Sequence, residues 1–102
     1  MVLSTCPNAE VANTIAHELV QRGLAACVNI LPSVRSVYTW KGKVETASEH
    51  LLLVKSHTRQ YKAIEALIRE LHPYELPEII AVPIAGGLDK YLSWLEKTEA
   101  AT

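Results

Sequence analysis

The feature that most constrains the fold is a pair of long, β-prone runs separated by two residues. Residues 25–40 are rich in Val, Ile, Tyr and Trp, and residues 43–55 form a second run that ends in four apolar residues, Leu51 to Val54. Such runs predict β-strands, and Lys41-Gly42 between them suits a turn. The sequence therefore predicts one long hairpin whose second strand, apolar on both faces at its end, is central in a sheet.

This hairpin is too long for one small domain. A strand of about 14 residues at about 3.4 Å per residue reaches nearly 50 Å, whereas a domain of this size has a radius of gyration of about 13 Å. An apolar tip left in water is an aggregation hazard, so we expect another subunit to cover it. The alternative is a bulge at Pro32-Ser33 that folds the ribbon back onto its own domain. The tip residues concerned are Val34, Val37, Tyr38, Trp40 and Val44.

The remaining elements follow from periodicity and capping. They are a strand at residues 2–5, a helix between Asn8 and Gly23, a second helix ended by Pro73, a strand at residues 79–84 and a short helix after Gly86-Gly87. The order β-α-β-β-α-β-α predicts an α+β, ferredoxin-like sandwich. In that fold a four-stranded antiparallel sheet carries both main helices on one face. We expect one domain over residues 1–102.

Composition excludes several classes of partner and location. Ten Lys and Arg against eleven Asp and Glu give a net charge of -1, which offers no electrostatic footprint for nucleic acid. No apolar run approaches the roughly 20 residues of a membrane span. Two cysteines, Cys6 and Cys27, are too few for a disulfide framework and favour a reducing compartment, so we expect a cytoplasmic protein.

The run from His72 to Glu78 is the best candidate site, because two prolines fix a loop that presents His, Tyr and two Glu. The alternative is a rigid connector whose histidine caps the preceding helix.

Cys27 is expected to be a small buried apolar residue, and Cys6, at a strand end, to be exposed enough for a soft metal. A nucleophile arrangement of Cys27, His72 and Glu78 is conceivable, but no catalytic motif supports it.

Taken together, four segments resemble the CutA divalent-cation-tolerance family. They are LAACVN at 24–29, SVYTWKGK at 36–43, HPYELPEII at 72–80 and YLSW at 91–94. The resemblance covers nearly the whole chain. It implies a ferredoxin-like subunit in a tight homotrimer, similar in architecture to the PII signalling proteins, with the hairpins building the contacts between subunits.

The same resemblance implies two sets of site residues. Some members of the family bind divalent metal through a cysteine near the first strand and histidines before the Pro-Tyr motif. Here Ser4 and Leu71 stand at two such positions, which leaves His72 and Cys6 as the candidate metal ligands. The clefts between subunits are implied to be lined by Cys27, Tyr38, Trp40, Glu49, Lys55, His72, Tyr74 and Glu78.

The leading interpretation is therefore a non-enzymatic homotrimer of divalent-cation, chiefly copper, tolerance. It requires no cofactor and binds a metal ion or a small molecule in its intersubunit clefts. One alternative is a PII-like sensor that binds a metabolite and a protein partner, for which Lys41-Gly42-Lys43 is the one suggestive feature. The other is a small thiol- or histidine-dependent hydrolase. Copper, if bound, is expected to bind weakly and mainly through His72.

Overall fold

The computed structural model describes residues 1–97, and within them it has four strands and three helices. These are β1 (Val2–Cys6), α1 (Ala9–Gln21), β2 (Cys27–Trp40), β3 (Lys43–Lys55), α2 (Tyr61–Leu71), β4 (Ile79–Ala81) and α3 (Asp89–Lys97), with a 3-10 turn at Thr58–Gln60 before α2. The predicted element order and α+β class are confirmed. The last five residues of the domain expected over 1–102 lie outside the described part.

The four strands form one antiparallel sheet in the order β2-β3-β1-β4. β3 pairs with β2 on one side and with β1 on the other. This confirms that the strand containing Leu51 to Val54 is central, and its two apolar faces follow from that position.

Helices α1 and α2 pack on one face of the sheet, as predicted. The core on this face joins Val2 and Cys6 of β1 and Leu52 and Val54 of β3 to Ile15 and Leu19 of α1 and to Ile64 and Ile68 of α2. The amphipathic spacing of both helices supplies this apolar stripe. Asn8 caps α1 by accepting a hydrogen bond from the Val11 amide at 2.9 Å.

The opposite face of the sheet is apolar but is covered by neither α1 nor α2. Successive side chains of a strand point to opposite faces, so Leu3, Leu51 and Leu53 lie on this second face. All three are half-buried, whereas the exposed fractions of Leu52 and Val54, on the helix face, are 0%. At these three positions the second face is therefore apolar and lacks the cover that α1 and α2 give the first.

Two strand bounds differ from the predicted ones. β2 begins at Cys27 rather than at residue 25, because the Ala25 amide donates to the carbonyl of Leu19 at the end of α1. β4 ends at Ala81 rather than at residue 84. The Val82 amide still donates to the Met1 carbonyl, but Pro83 has no N–H with which to continue the pairing.

The hairpin turn and the bulge both occur where the sequence indicates them. Lys41 and Gly42 have φ of 50° and 79°, the two positive values that a two-residue type I′ turn requires. β2 contains one more residue than β3 between the Leu31–Leu51 and Val34–Glu49 pairs, and Ser33 within that bulge has φ of 62°.

The hairpin extends beyond the body of the domain and leaves apolar residues of its tip exposed. Val37 and Val44 are 65% and 75% exposed, and the longest dimension of the molecule is 45 Å. The alternative, in which the bulge folds the whole ribbon back onto its own domain, is therefore wrong, although Tyr38 and Trp40 approach the loop after α2. The overhang inferred from strand length is confirmed.

Candidate ligand-binding site

The bulge decides which hairpin residues reach the site. Before it, the even-numbered residues Val28 and Ile30 of β2 pack against the helix-side core. After it, Val34 pairs with Glu49 and Tyr38 pairs with Glu45, and directly opposed residues share a face. The one extra residue in the bulge thus reverses the alternation of β2. After it, Tyr38 and the neighbouring even-numbered residues of β2 lie on the face of the sheet that carries Glu49.

A cavity of about 770 Å³ lies between this face of the hairpin and the segment after α2. The tip of β2, the end of β1, Glu49 and the two-proline loop form its walls. Its lining residues are Thr5, Ser36, Val37, Tyr38, Thr39, Trp40, Glu49, Pro73, Tyr74, Glu75, Leu76 and Glu78.

The centre of the site is a buried carboxylate. Glu49 is 6% exposed, and its Oε2 accepts a hydrogen bond of 3.0 Å from the Tyr74 hydroxyl. Within residues 1–97 this carboxylate forms no ion pair, since the one salt bridge there joins Arg22 to Glu18. A buried carboxylate without a cation is costly, because desolvation is repaid only by a close opposite charge or by several hydrogen bonds.

His72 positions Tyr74 rather than facing the cavity. Its Nε2 donates to the Thr5 carbonyl at 2.7 Å, and its Nδ1 accepts from the Tyr74 amide at 3.1 Å. We assign the Nε2–H tautomer from these two partners, since a carbonyl only accepts and an amide N–H only donates. The side chain therefore does not cap α2, because it bridges β1 to the site loop.

Burial, with the nearby Glu49 as a secondary cause, raises the pKa values of two groups at the site. Burial, and secondarily the charge of Glu49, raise the pKa of the Cys6 thiol to about 11. Burial, the hydrogen bond to Glu49 and the Glu49 charge raise the pKa of Tyr74 to about 12. Both groups are neutral at pH 7, as ordinary Cys and Tyr side chains predominantly are. The expectation that Cys6 is exposed is wrong, because its exposed fraction is 0% and alternation along β1 places it beside Val2 in the core.

A single chain brings five of the eight predicted cleft residues to the cavity, namely Tyr38, Trp40, Glu49, Tyr74 and Glu78. His72 lies behind Tyr74, with ring centroids 4.7 Å apart. Cys27 and Lys55 pair with each other at the opposite end of the hairpin. The sequence did not predict Thr5 as a lining residue, because the position of Thr5 beside the cavity depends on how β1 pairs with β3.

The arrangement gives no support to a nucleophile or a tight metal centre. Cys27 is half-buried rather than buried, and the two ring nitrogens of His72 bond to Thr5 and Tyr74, so Cys27, His72 and Glu78 do not form a hydrogen-bonded triad. In the described part of the chain no three His, Cys, Asp or Glu side chains are grouped to hold a metal ion. His72 and Cys6, both engaged or buried, do not fit a tight copper site.

Comparison with known proteins finds relatives that share this architecture. The family model of the CutA1 divalent ion tolerance protein matches residues 1–98. A divalent-cation tolerance protein CutA from Thermus thermophilus is 50% identical over 97 residues, which are 95% of this chain and 94% of that protein. A chloroplastic CutA protein from Arabidopsis thaliana is 45% identical over 96% of this chain, but the match spans 54% of that longer protein.

Among solved structures, a PII-like protein CutA from Nostoc sp. PCC 7120 superposes with a TM-score of 0.87 at 35% identity, covering 96% of this chain and 94% of that one. The fold and the cavity thus define a ferredoxin-like domain of PII-like architecture with an overhanging hairpin. More particularly, the chain belongs to the CutA1 divalent ion tolerance family.

Proposed function

We propose that this protein acts in divalent-cation tolerance as a non-enzymatic homotrimer, and that the cavity beside Glu49 is the site where it binds a small ligand between subunits. The observation that carries the proposal is the half-buried apolar face of the sheet, continuous along β3 with the cavity. Family membership supports the tolerance role, and the relatives are named as tolerance proteins rather than as enzymes.

Assembly is supported by surfaces that one chain leaves uncovered. Leu3, Leu51 and Leu53 are half-buried on the face that neither α1 nor α2 covers, and the hairpin tip exposes Val37 and Val44. Large exposed apolar patches of this kind mark interfaces. β2 and β4 are edge strands within the described sheet, and edges of this kind pair readily with another chain. The number of subunits rests on the family resemblance, and the mass of the native protein tests it.

The proposed location is the cytoplasm or another reducing compartment. Cys6 and Cys27 are both free thiols, and free thiols are typical of such compartments. Within residues 1–97 no helix is long and apolar enough to cross a membrane. The Arabidopsis relative is named chloroplastic, so members of the family are not confined to one location.

A sensor role is the second candidate, and the similarity to the PII-like protein of Nostoc favours it. Such a sensor would bind a metabolite in the cleft and a protein partner on its surface. The lining that one chain contributes gives no support to a phosphorylated metabolite, because no Lys or Arg is among its residues. Phosphate recognition normally depends on such cations or on a helix N-terminus.

Copper should bind this protein weakly. A divalent ion at His72 has to displace the Thr5 or the Tyr74 hydrogen bond, and the buried Cys6 thiol, with its pKa raised to about 11, is a poor second ligand. Calorimetric titration of the native protein with Cu²⁺ tests this. We expect a shallow isotherm, further weakened in His72→Ala. Tight saturable binding that depends on His72 would contradict the geometry, and its stoichiometry would separate one ion per trimer from one per subunit.

A further inference from the structure

Within one chain, the described residues that line the cavity beside Glu49 combine aromatic rings and carboxylates without a basic side chain. Tyr38, Trp40 and Tyr74 contribute the rings, and Glu49, Glu75 and Glu78 contribute the carboxylates. Aromatic faces attract cations through the ring quadrupole, most strongly where water is excluded, and a carboxylate adds a charge-assisted hydrogen bond. Of the described residues, the twelve that line the cavity include no Lys, Arg or His.

From this juxtaposition we propose that the cleft ligand is an organic cation, an amine or guanidinium compound with a short apolar body. The inference rests on the proposed function, because it names the ligand class of the same site. The cation would lie on the free oxygen of Glu49, and its apolar part would contact the rings of Tyr38 and Trp40.

The environment of the Glu49 carboxylate is the strongest support for an organic cation as the ligand. Its side chain is more than nine-tenths buried and lines the cavity, and Tyr74 donates to Oε2 alone. Within residues 1–97 Oε1 receives no hydrogen bond and is not fully buried, so it is the carboxylate oxygen that remains accessible. No Lys or Arg of the same described residues pairs with Glu49, so the cavity is the open side from which an opposite charge can arrive. A guanidinium or ammonium group supplies both the charge and the missing donors.

A metal ion fits this cavity less well than an organic cation. The carboxylates are not grouped closely enough to hold a metal in the part of the chain that the structure describes. The volume of about 770 Å³ suits a small organic molecule rather than a bare ion. At the edge of the cavity the exposed Lys41 ammonium lies 5.8 Å from the centroid of the Trp40 ring, within the range of a cation–π interaction.

The test compares two probes of the same shape and different charge, n-butylguanidinium and n-butylurea. Both are titrated calorimetrically into the native protein, and ATP serves as an anionic probe. We expect butylguanidinium to bind at least about tenfold more tightly than butylurea, and ATP to bind no better than butylurea. Equal affinity for butylurea and butylguanidinium would overturn the proposal.

Two variants test whether the affinity for butylguanidinium depends on the charge of the buried Glu49 carboxylate. Glu49→Gln keeps the shape and a hydrogen-bond acceptor but removes the charge, so butylguanidinium affinity should fall by about tenfold or more. Glu10→Gln, an exposed change on α1, which packs on the other face of the sheet, should leave it unaltered. An unchanged affinity in Glu49→Gln overturns the proposal.

The same samples separate this proposal from the proposed function. ATP binding by a protein of trimer mass, unaffected by Glu49→Gln, would overturn the cationic ligand and leave the ligand-binding trimer standing. A monomer mass in sedimentation equilibrium, or a trimer that binds none of the probes, would overturn the proposed function together with the ligand class.

Discussion

Replacing Leu53 by aspartate should convert the protein into monomers at micromolar concentration. Leu53 lies on the face of the sheet that neither α1 nor α2 covers, where it pairs with Leu3 on β1 and Asn29 on β2. In an isolated chain the new carboxylate stays partly hydrated, because Leu53 is half-buried. In an assembly that buries this face it becomes an uncompensated buried charge, which costs several kcal/mol per subunit.

The measured quantities are the mass in solution and the midpoint of thermal unfolding. For the unchanged protein the midpoint should rise with protein concentration, because assembly stabilises the native state by mass action. For Leu53→Asp it should be lower and independent of concentration. Ala66→Asp introduces the same charge at an exposed position of α2 and should change neither quantity. Circular dichroism checks that Leu53→Asp remains folded; a folded variant that stays trimeric with unchanged stability contradicts the account.

His72→Ala should lower the free energy of unfolding by about 2–4 kcal/mol. This loss is the sum of two costs, that of leaving a buried carbonyl unpaired and that of creating a small cavity. The His72 ring is 7% exposed, and it bonds both to the Tyr74 amide and to the carbonyl of Thr5, 67 residues earlier in the sequence. Its loss also frees Tyr74, which carries the hydrogen bond to Glu49. Stability and the shape of the cavity should therefore change together.

His72→Gln distinguishes this positioning role from metal binding. A glutamine amide offers one donor and one acceptor, as the neutral imidazole does, so Gln should restore part of the stability lost in Ala. Denaturant unfolding at one fixed protein concentration measures both variants. His17→Ala, an exposed histidine on α1, should remain within about 0.5 kcal/mol of the unchanged protein. If the Ala and Gln variants of residue 72 lose equal stability, the two hydrogen bonds do not account for the role of His72.

Much of the fold is predictable from local signals. Strand length and the Lys41-Gly42 turn predict the hairpin, and Pro32-Ser33 marks the bulge. The apolar run Leu51 to Val54 predicts the central strand. Pro83 also carries a local signal for the early end of β4, since a proline has no N–H for the ladder.

The site is less predictable, because its contacts join distant segments. The family resemblance indicates Glu49 and Tyr74 as cleft residues, but their hydrogen bond depends on how β3 meets the loop after α2. The partners of His72 could not be inferred, because one of them lies on β1. The burial of Cys6 follows from alternation with Val2 and Ser4, a signal that its position before Pro7 obscures.

The central claim is that the overhanging hairpin and the uncovered sheet face belong to a three-subunit assembly with the cavity between subunits. Sedimentation equilibrium of the unmodified protein at micromolar concentration tests it most directly. The account predicts a single species of three times the 11.3 kDa chain mass. A mass of 11.3 kDa that does not change with concentration would contradict it.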